Sequence, residues 1–507
     1  MQTTGSSPDL RRDAVSDAGR LFRWWALAVA VLHTWLALTR HIWAAENNMT
    51  KSPFFMGMLA ADLWLTVGLA GSVVLWVAFS LIFLRSARHA QAPLLRRCLT
   101  PEWIIFTVLF LWFIVTLTVY SGRNSLLLAY WHYVIDTGVC ALVLLPLGIL
   151  LGVRRGHRVV RALFLVILGF ATAFVSMALV SLFLGIEIKL PNGMFVRLAP
   201  NGAVRLGVNT NIGAGICFAM VCASLYLIFT HRGVARAACC AVMLPHLAYC
   251  LLSGSRACFL ALLLTLTPAA GMLAWQGTRR LCRSDDAKKR AAVRLAVSVL
   301  AGVLCCAALL LLRPALMNLL LDSLRVRAPK ALEQVTKAVY TEESLTTDSS
   351  RSRIWPAVLH IMTQNPRQFV FGLPRGYELQ NAIKDTLIAL YGKGSVIAHA
   401  HNQVLQVGAR QGVPAMAAYI ATLVLTAVRC VRILVSPRKR ARLKGCEIIP
   451  VCMLGMVFFS IFEPFLWMYF SAMGCVFFLL DGLLIAVDRG YGAPEEPAEK
   501  DGEPSPS

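Results

Sequence analysis

A histidine and two isolated arginines are the residues of this chain best suited to chemistry. His401 begins a pattern of His-Asn, nine residues and then Gly412, at the end of the longest polar loop in the sequence. The charge pattern of the loops places Arg256 and Arg351 on the same membrane face as His401. A base beside two permanent cations suits the departure of a phosphate leaving group from a lipid-carried substrate.

The composition indicates that a membrane holds these residues. Of the 507 residues, 58% are hydrophobic and only 15% are charged. A membrane span needs about 20 apolar residues, and continuous apolar runs favour helices over a closed barrel. The net charge of +23 comes from short basic clusters between apolar runs. Such clusters are typical of cytoplasmic loops, so we expect no nucleic-acid partner.

Hydropathy predicts an all-α polytopic membrane protein with about 12 transmembrane helices. The predicted spans are 23–43, 56–84, 102–120, 126–151, 162–185, 208–230, 238–254, 257–275, 295–312, 413–435, 446–462 and 465–487. Basic clusters alternate along the loops, at 85–97, 154–161, 232–236, 279–290 and 438–444. The alternation places both termini in the cytoplasm and one large, mostly helical loop outside.

The predicted organisation has five parts. They are a cytoplasmic tail at 1–22, spans 1–9 within 23–312, the outer loop with the candidate motifs at 313–412, spans 10–12 within 413–487, and a disordered cytoplasmic tail at 488–507. The first apolar stretch is too long for a secretory signal and lacks a small-residue cleavage site. All fifteen cysteines lie in predicted spans or cytoplasmic loops, which indicates neither a disulfide framework nor structural zinc.

Local patterns predict the elements of the two outer loops. Residues 314–340 suit an amphipathic helix near the membrane surface. A second helix should run through Arg351 and Trp355, capped by Asp348 or Ser349 and ended by Asn365-Pro366. An Asn-Gly pair between alternating runs predicts a β-hairpin within 186–207, either a lid over the site or a solvated turn.

Several candidate residues also have ordinary structural interpretations. Arg256 opens a predicted span and could be an interfacial arginine whose side chain reaches water. Arg123, in the tight turn 121–124, is a weaker candidate of the same kind. His401 could be a hydrogen-bonded interfacial histidine, and His399 would point elsewhere on a helix.

The motifs together resemble the O-antigen ligase family, whose relatives include O-antigen polymerases. The resemblance lies in three segments, Ser253-Gly254-Ser255-Arg256 with Leu260, Ser350-Arg351-Ser352-Arg353-Ile354-Trp355, and His399-Ala400-His401-Asn402 with Gly412. They cover roughly 250 to 415. Where the family usually has Gly, Thr or Tyr three residues after the glycine, this chain has Ala415, which bears on local packing more than on chemistry.

The resemblance implies transfer of a glycan from undecaprenyl pyrophosphate to the lipid A core, at the periplasmic face of a Gram-negative inner membrane. His401 would be the general base, and Arg256 and Arg351 would bind the pyrophosphate, with Arg353 or Arg123 assisting. Asn402, Trp355 and His399 would support the site. One displacement would invert the anomeric centre.

We expect no cofactor and no metal, because the outer loops lack an Asp-x-Asp motif or clustered carboxylates. Two alternatives remain. An O-antigen polymerase would use the same donor with a second lipid-linked glycan. A lipid-glycan flippase would also have twelve spans, and His132 and Asp136, one helical turn apart, are its main support. A transporter would show internal repeats, and none is evident.

Overall fold

The structure is a computed structural model that describes most of the chain. The described residues are 24–34, 74, 97–121, 131–151, 156–190, 195–198, 204–206, 210–278, 286–329, 350–374, 376–392, 399–443, 446–467 and 471–490. The tail at 488–507 therefore lies almost wholly outside them, as does Arg123.

The described chain is mostly helical, as the hydropathy predicts. The helices that precede the large loop are α1 (Trp24–Thr34), α2 (Pro101–Ser121), α3 (Trp131–Val139), α4 (Leu145–Leu151), α5 (Gly156–Phe183), α6 (Thr210–Thr230), α7 (Gly233–Leu252), α8 (Arg256–Thr278) and α9 (Ala287–Arg327). Those that follow are α10 (Ser350–Thr363), α11 (Pro366–Phe371), α12 (Gly376–Tyr391), α13 (Gln403–Gln411), α14 (Val413–Val435), α15 (Pro437–Leu443), α16 (Ile449–Phe462) and α17 (Ala472–Asp488). A π-helical turn, Cys140–Leu144, joins α3 to α4.

Eight of the described helical segments are long and apolar enough to cross a membrane. α1 and α16 are shorter apolar helices, and α17 has 17 residues. The second predicted span, 56–84, lies outside the described residues apart from Val74. The membrane character is therefore confirmed, whereas the number twelve stays a prediction.

The longest helix corrects the prediction for the start of the outer loop. α9 contains 41 residues and continues through Pro314 to Arg327. The ninth span and the first half of the expected surface helix are therefore one element, about 60 Å long and twice the hydrocarbon thickness. The proline did not end the helix because a single Pro kinks or weakens a helix without necessarily terminating it.

The expected β-hairpin is present, with an additional strand. β1 (Ile188–Lys189) pairs antiparallel with β2 (Phe195–Leu198), and β2 pairs with β3 (Val204–Leu206). The register places Lys189 opposite Phe195. Tyr249, near the end of α7, donates to the carbonyl of Val204 and fixes the sheet to that end of the bundle.

Close helix packing forms the centre of the bundle. All residues of the apolar window within Tyr133–Leu151 are buried. Gly148 of α4 and Gly482 of α17 face each other so closely that a Cβ on either would overlap the other backbone. Small residues at such crossings let helices gain the van der Waals contact that drives their association in lipid.

An ionic cluster lies in the bundle far from the outer motifs. Arg429 of α14 bonds to Glu102 of α2 and, at 3.0 Å, to Asp481 of α17, and all three residues are buried. Arg429 follows Val413 by 16 residues, about 24 Å along the helix. The cluster therefore ties three helices together at the end of α14 away from Gly412.

A second, smaller core organises the loop helices. Apolar residues of α10, α12 and α13 pack together, among them Ile354, Ile361, Leu379, Ile383 and Leu405. Asn365 ends the α10 region as expected, and its side chain caps α11 by accepting from the amide of Gln368 at 2.8 Å. The loop helices thus form a packed unit that can hold polar side chains against the bundle.

Candidate functional site

A buried carboxylate lies at the centre of the candidate site. Glu463 follows the last residue of α16 and has no solvent-exposed surface. Its Oε1 accepts from the Arg351 guanidinium at 2.7 Å and from the Asn211 amide at 2.7 Å. Its Oε2 lies 3.2 Å from Nδ1 of His401. One carboxylate therefore brings together residues of α6, α10 and the segment before α13.

The contact with Glu463 determines how His401 can act. A carboxylate can only accept a hydrogen bond, so the contact selects the tautomer that donates from Nδ1, and in that tautomer Nε2 keeps its lone pair. Within the described part of the chain, Nε2 forms no hydrogen bond, and 22% of the side chain is exposed. In this tautomer His401 offers Nε2 as a hydrogen-bond or proton acceptor.

The backbone at His401 is strained. Its φ of +49° is the one positive value among the described non-glycine residues. Left-handed backbone at such a residue is uncommon and persists where the surrounding contacts hold it. The contact with Glu463 on one side and the start of α13 on the other supply those contacts.

The polar ends of α13 hold the histidine segment in place. Asn402 is the N-cap, and its side chain accepts from the amide of Leu405 at 3.0 Å. Gly412, with φ of +90°, ends α13 and begins α14 against the backbone of Val370, where a Cβ would not fit. The nine residues between the His-Asn pair and Gly412 form this short helix, and Asn402 supports it as a cap.

α10 directs its two arginines to different places. Arg351 bonds to Glu463, and its guanidinium lies 5.7 Å from the ring of Phe462. Trp355, one turn further, packs on the same ring with 6.4 Å between ring centroids. Arg353 is exposed and lies 5.8 Å from the ring of Tyr391 on α12. The structure therefore brings Arg351 and Trp355 to the site and directs Arg353 elsewhere, because residues two apart face opposite sides of a helix.

Arg256 lies at the same end of the bundle as Glu463. It is the first residue of α8 and is exposed. Cys258, two residues later, lies 3.7 Å from the carbonyl of Ala214, which follows Asn211 by three residues on α6. Arg256 forms no ion pair or hydrogen bond with any described residue. Its charge is therefore available to a ligand at that end.

His399 lies directly behind His401. The two rings are 4.2 Å apart, and His399 is 7% exposed. Burial lowers the pKa of His399 well below its ordinary range, and neighbouring His401, Arg410 and Arg351 lower it further. His399 is accordingly neutral near pH 7. It lies beside His401 and not on another side of a helix as predicted, because residues 399–402 are not helical.

The site also has the dimensions of a metal centre. His399, His401 and Glu463 each offer one ligand atom, and these atoms lie within 4.8 Å of one another. The carboxylate is already engaged by Arg351 and Asn211. A cation there would displace or face a guanidinium of the same sign, so the donor set suits charge pairing better than metal ligation. Metal-independent action stays a prediction.

Three residues of this arrangement were not among the candidates predicted from the sequence. Glu463 and Asn211 were not singled out, and neither was Gln403, which is fully buried. The Gln403 side chain accepts from the amide of Leu466 at 3.0 Å and donates to the carbonyl of Trp467 at 2.8 Å, which ties α13 to the turn after Glu463. The sequence does contain a signal for Glu463, because it is a lone carboxylate between two apolar runs. An isolated charged residue in such a position is a site candidate, as Arg256 is.

Comparison with known protein families gives a match over part of the chain. Among curated proteins, none matches the chain. A family model described as O-antigen ligase matches residues 240–420. The match includes Arg256, Arg351 and His401 and stops before Glu463. Residues 240–420 are thus similar to the O-antigen ligase family, and they supply Arg351 and His401 to the site, whereas Glu463 and Asn211 come from outside the matched stretch.

Proposed function

We propose that this protein ligates a glycan from an undecaprenyl-pyrophosphate carrier to the lipid A core oligosaccharide. The family supports ligase or polymerase chemistry on lipid-linked glycans. The observation that carries the proposal is the arrangement of His401, Glu463 and Arg351 at one end of the bundle. It combines an open base with fixed positive charge, which are the two requirements of such a transfer.

The base would act on the acceptor. As the acceptor hydroxyl attacks the anomeric carbon, its proton passes to Nε2 of His401. The positive charge that develops on the imidazole is stabilised by the buried carboxylate of Glu463, 3.2 Å from Nδ1. Glu463 therefore acts as a positioning residue that holds the tautomer and the ring orientation.

The arginines would act on the leaving group. The bond between the anomeric carbon and the phosphate oxygen breaks as the new glycosidic bond forms, and the electron pair stays on the diphosphate. Arg351 uses one nitrogen for Glu463 and retains other donors, with 25% of its side chain exposed. Arg256 adds a second guanidinium at the N-terminus of α8, where free amides also favour an anion. A single displacement of this kind inverts the anomeric centre.

The proposed location follows from the loop charges. The site end of the bundle would face the periplasm of a Gram-negative cell, with the protein in the inner membrane and both termini in the cytoplasm. Membrane lipids surround the bundle in this arrangement. Large exposed apolar side chains along α9, such as Leu300, Leu304 and Leu311, suit that contact.

An O-antigen polymerase is the second candidate, because the family includes both activities and the donor would be the same. The flippase alternative loses part of its support. Asp136, which faces no solvent, lies 3.1 Å from Nε2 of His33 and so belongs to an internal polar contact. Pairing lowers the cost of burying Asp136, so its presence in the bundle does not by itself require a transport pathway.

The test supplies purified protein in detergent with undecaprenyl-pyrophosphate glycan, lipid A core and EDTA. We expect the wild type to shift the acceptor on a gel and His401→Ala to fail. His360→Ala is the matched control, because His360 is exposed on α10, away from Glu463, and should retain activity. Lengthened donor without joined acceptor would establish the polymerase instead. Activity lost to EDTA and restored by a divalent metal would refute metal independence.

A further inference from the structure

Arg410, on α13, is a buried arginine that no motif singled out. It is 6% exposed, and it forms no ion pair or hydrogen bond with any residue in the described part of the chain. Its Nε is buried without a hydrogen-bond partner. The ring of Tyr133 lies against it, with 4.9 Å between the ring centroid and the guanidinium carbon. A charge removed from water in this way is unfavourable unless an opposite charge compensates for it.

Arg429, which is also buried, provides an internal comparison. Arg429 is 7% exposed, nearly the same as Arg410, and it bonds to Glu102 and Asp481. Two carboxylates therefore compensate the buried charge of Arg429. Glu463 is already bonded to Arg351 and leaves the charge of Arg410 uncompensated.

Arg410 lies on the face of α13 that meets the histidine segment. Gln406, one turn earlier, accepts from the amide of Ala400 at 2.8 Å, between the two histidines. Side chains on a helix lean toward its N-terminus, which directs Arg410 toward Ala400 and its neighbours. The electrostatic influence of both Arg410 and Arg351 on His399 agrees with this placement.

We propose that Arg410 is a binding residue for a phosphate group of the substrate, in a buried subsite formed with Tyr133 and His399 beside His401. A guanidinium presents forked donors that match phosphate oxygens, and its charge is satisfied when the ligand is bound. The ring of Tyr133 holds the guanidinium plane while the site is empty. Neutral His399 supplies a further polar group without adding charge.

The identity of the phosphate rests on the proposed function. It is the diphosphate of the lipid-linked donor or a phosphate substituent on the acceptor oligosaccharide. Both present the same oxyanion chemistry to Arg410. The residue would add a third cation to Arg256 and Arg351 in the first case, and would position the acceptor in the second.

The test measures binding, which does not require turnover. Undecaprenyl pyrophosphate, phosphorylated lipid A core and the same core after phosphatase treatment are titrated calorimetrically into detergent-purified protein. We expect Arg410→Met to bind one phosphorylated probe about 10- to 100-fold more weakly than the wild type, and Arg410→Lys to lie between them. Loss confined to undecaprenyl pyrophosphate assigns the donor, and loss confined to phosphorylated core assigns the acceptor. Arg294→Met is the control, because Arg294 also stacks on an aromatic ring, 4.1 Å from that of Trp275.

Stability without ligand separates binding from a structural role. Because Met retains apolar volume and removes an uncompensated charge, ligand-free Arg410→Met should unfold at a temperature no lower than that of the wild type. Failure to fold, a lower unfolding temperature, wild-type affinity for every probe, or a wild type that binds no phosphorylated probe would overturn the inference. If the wild type ligates and Arg410→Met binds every probe as tightly as the wild type does, this inference is refuted and the proposed function is not. If Arg410→Met binds a phosphorylated probe more weakly but the wild type ligates nothing, the proposed function is refuted and this inference is not.

Discussion

Replacing Glu463 with Gln should slow the reaction while leaving the shape of the site nearly unchanged. Opposite charges 3.2 Å apart attract by about 5 kcal/mol at an effective dielectric constant of about 20. Arg351 shares this carboxylate, so we assign about half of that energy, 2–3 kcal/mol, to the imidazolium that forms during the reaction. At about 1.4 kcal/mol per tenfold, kcat should fall about 30- to 150-fold.

The assay is the initial rate of acceptor ligation at saturating lipid-linked donor. Glu187→Gln is the matched control, since Glu187 is exposed beside β1, and its rate should equal that of the wild type. If Glu463 acts through His401, the double variant Glu463→Gln with His401→Ala should be no slower than His401→Ala alone. A folded Glu463→Gln protein with kcat within threefold of the wild type, or full additivity in the double variant, would contradict the reasoning.

Three further variants test other parts of the arrangement. Arg351→Lys should lower kcat/KM about 10- to 100-fold, because lysine cannot contact Glu463 with one nitrogen and present a second planar donor to a phosphate. Arg353→Lys should change kcat/KM less than threefold, and similar losses in both variants would show that the two arginines are not separated as described. His399 is buried neutral and its folded pKa lies below its unfolded value of about 6.5, so the protein loses stability as pH falls below that value. Between about pH 6.5 and about pH 5, the free energy of unfolding should therefore fall by up to about 2 kcal/mol less in His399→Leu than in the wild type. Chemical unfolding at both pH values measures this difference, and an equal fall in both proteins would show that His399 is not buried in its neutral form. Arg429→Met should destabilise the protein by about 3–5 kcal/mol because two buried carboxylates lose their counterion, and an unfolding temperature equal to that of the wild type would refute a structural role for the ionic cluster.

Local chemistry made several elements predictable. The helix through Arg351 and Trp355 is present and ends before Asn365-Pro366 as expected, whereas its predicted caps Asp348 and Ser349 lie outside the described residues. Asn365 and Asn402 cap the helices that follow them. The hairpin follows from an Asn-Gly pair between alternating runs. These signals act over a few residues, so they are readable without the fold. Local signals did not predict the length of α9, which continues past the expected end of the ninth span at 312 and through Pro314.

The sequence by itself determined the class of the protein and its candidate chemistry. Apolar runs require membrane helices because lipid offers no hydrogen bonds, and His401, Arg256 and Arg351 are residue types suited to proton transfer and phosphate binding. Only the tertiary structure decided how these groups work together. Glu463 meets His401 across 62 residues of sequence, Arg351 across 112 and Asn211 across 252. Burial and charge pairing arise from such long-range contacts, which leave no periodic pattern along the chain.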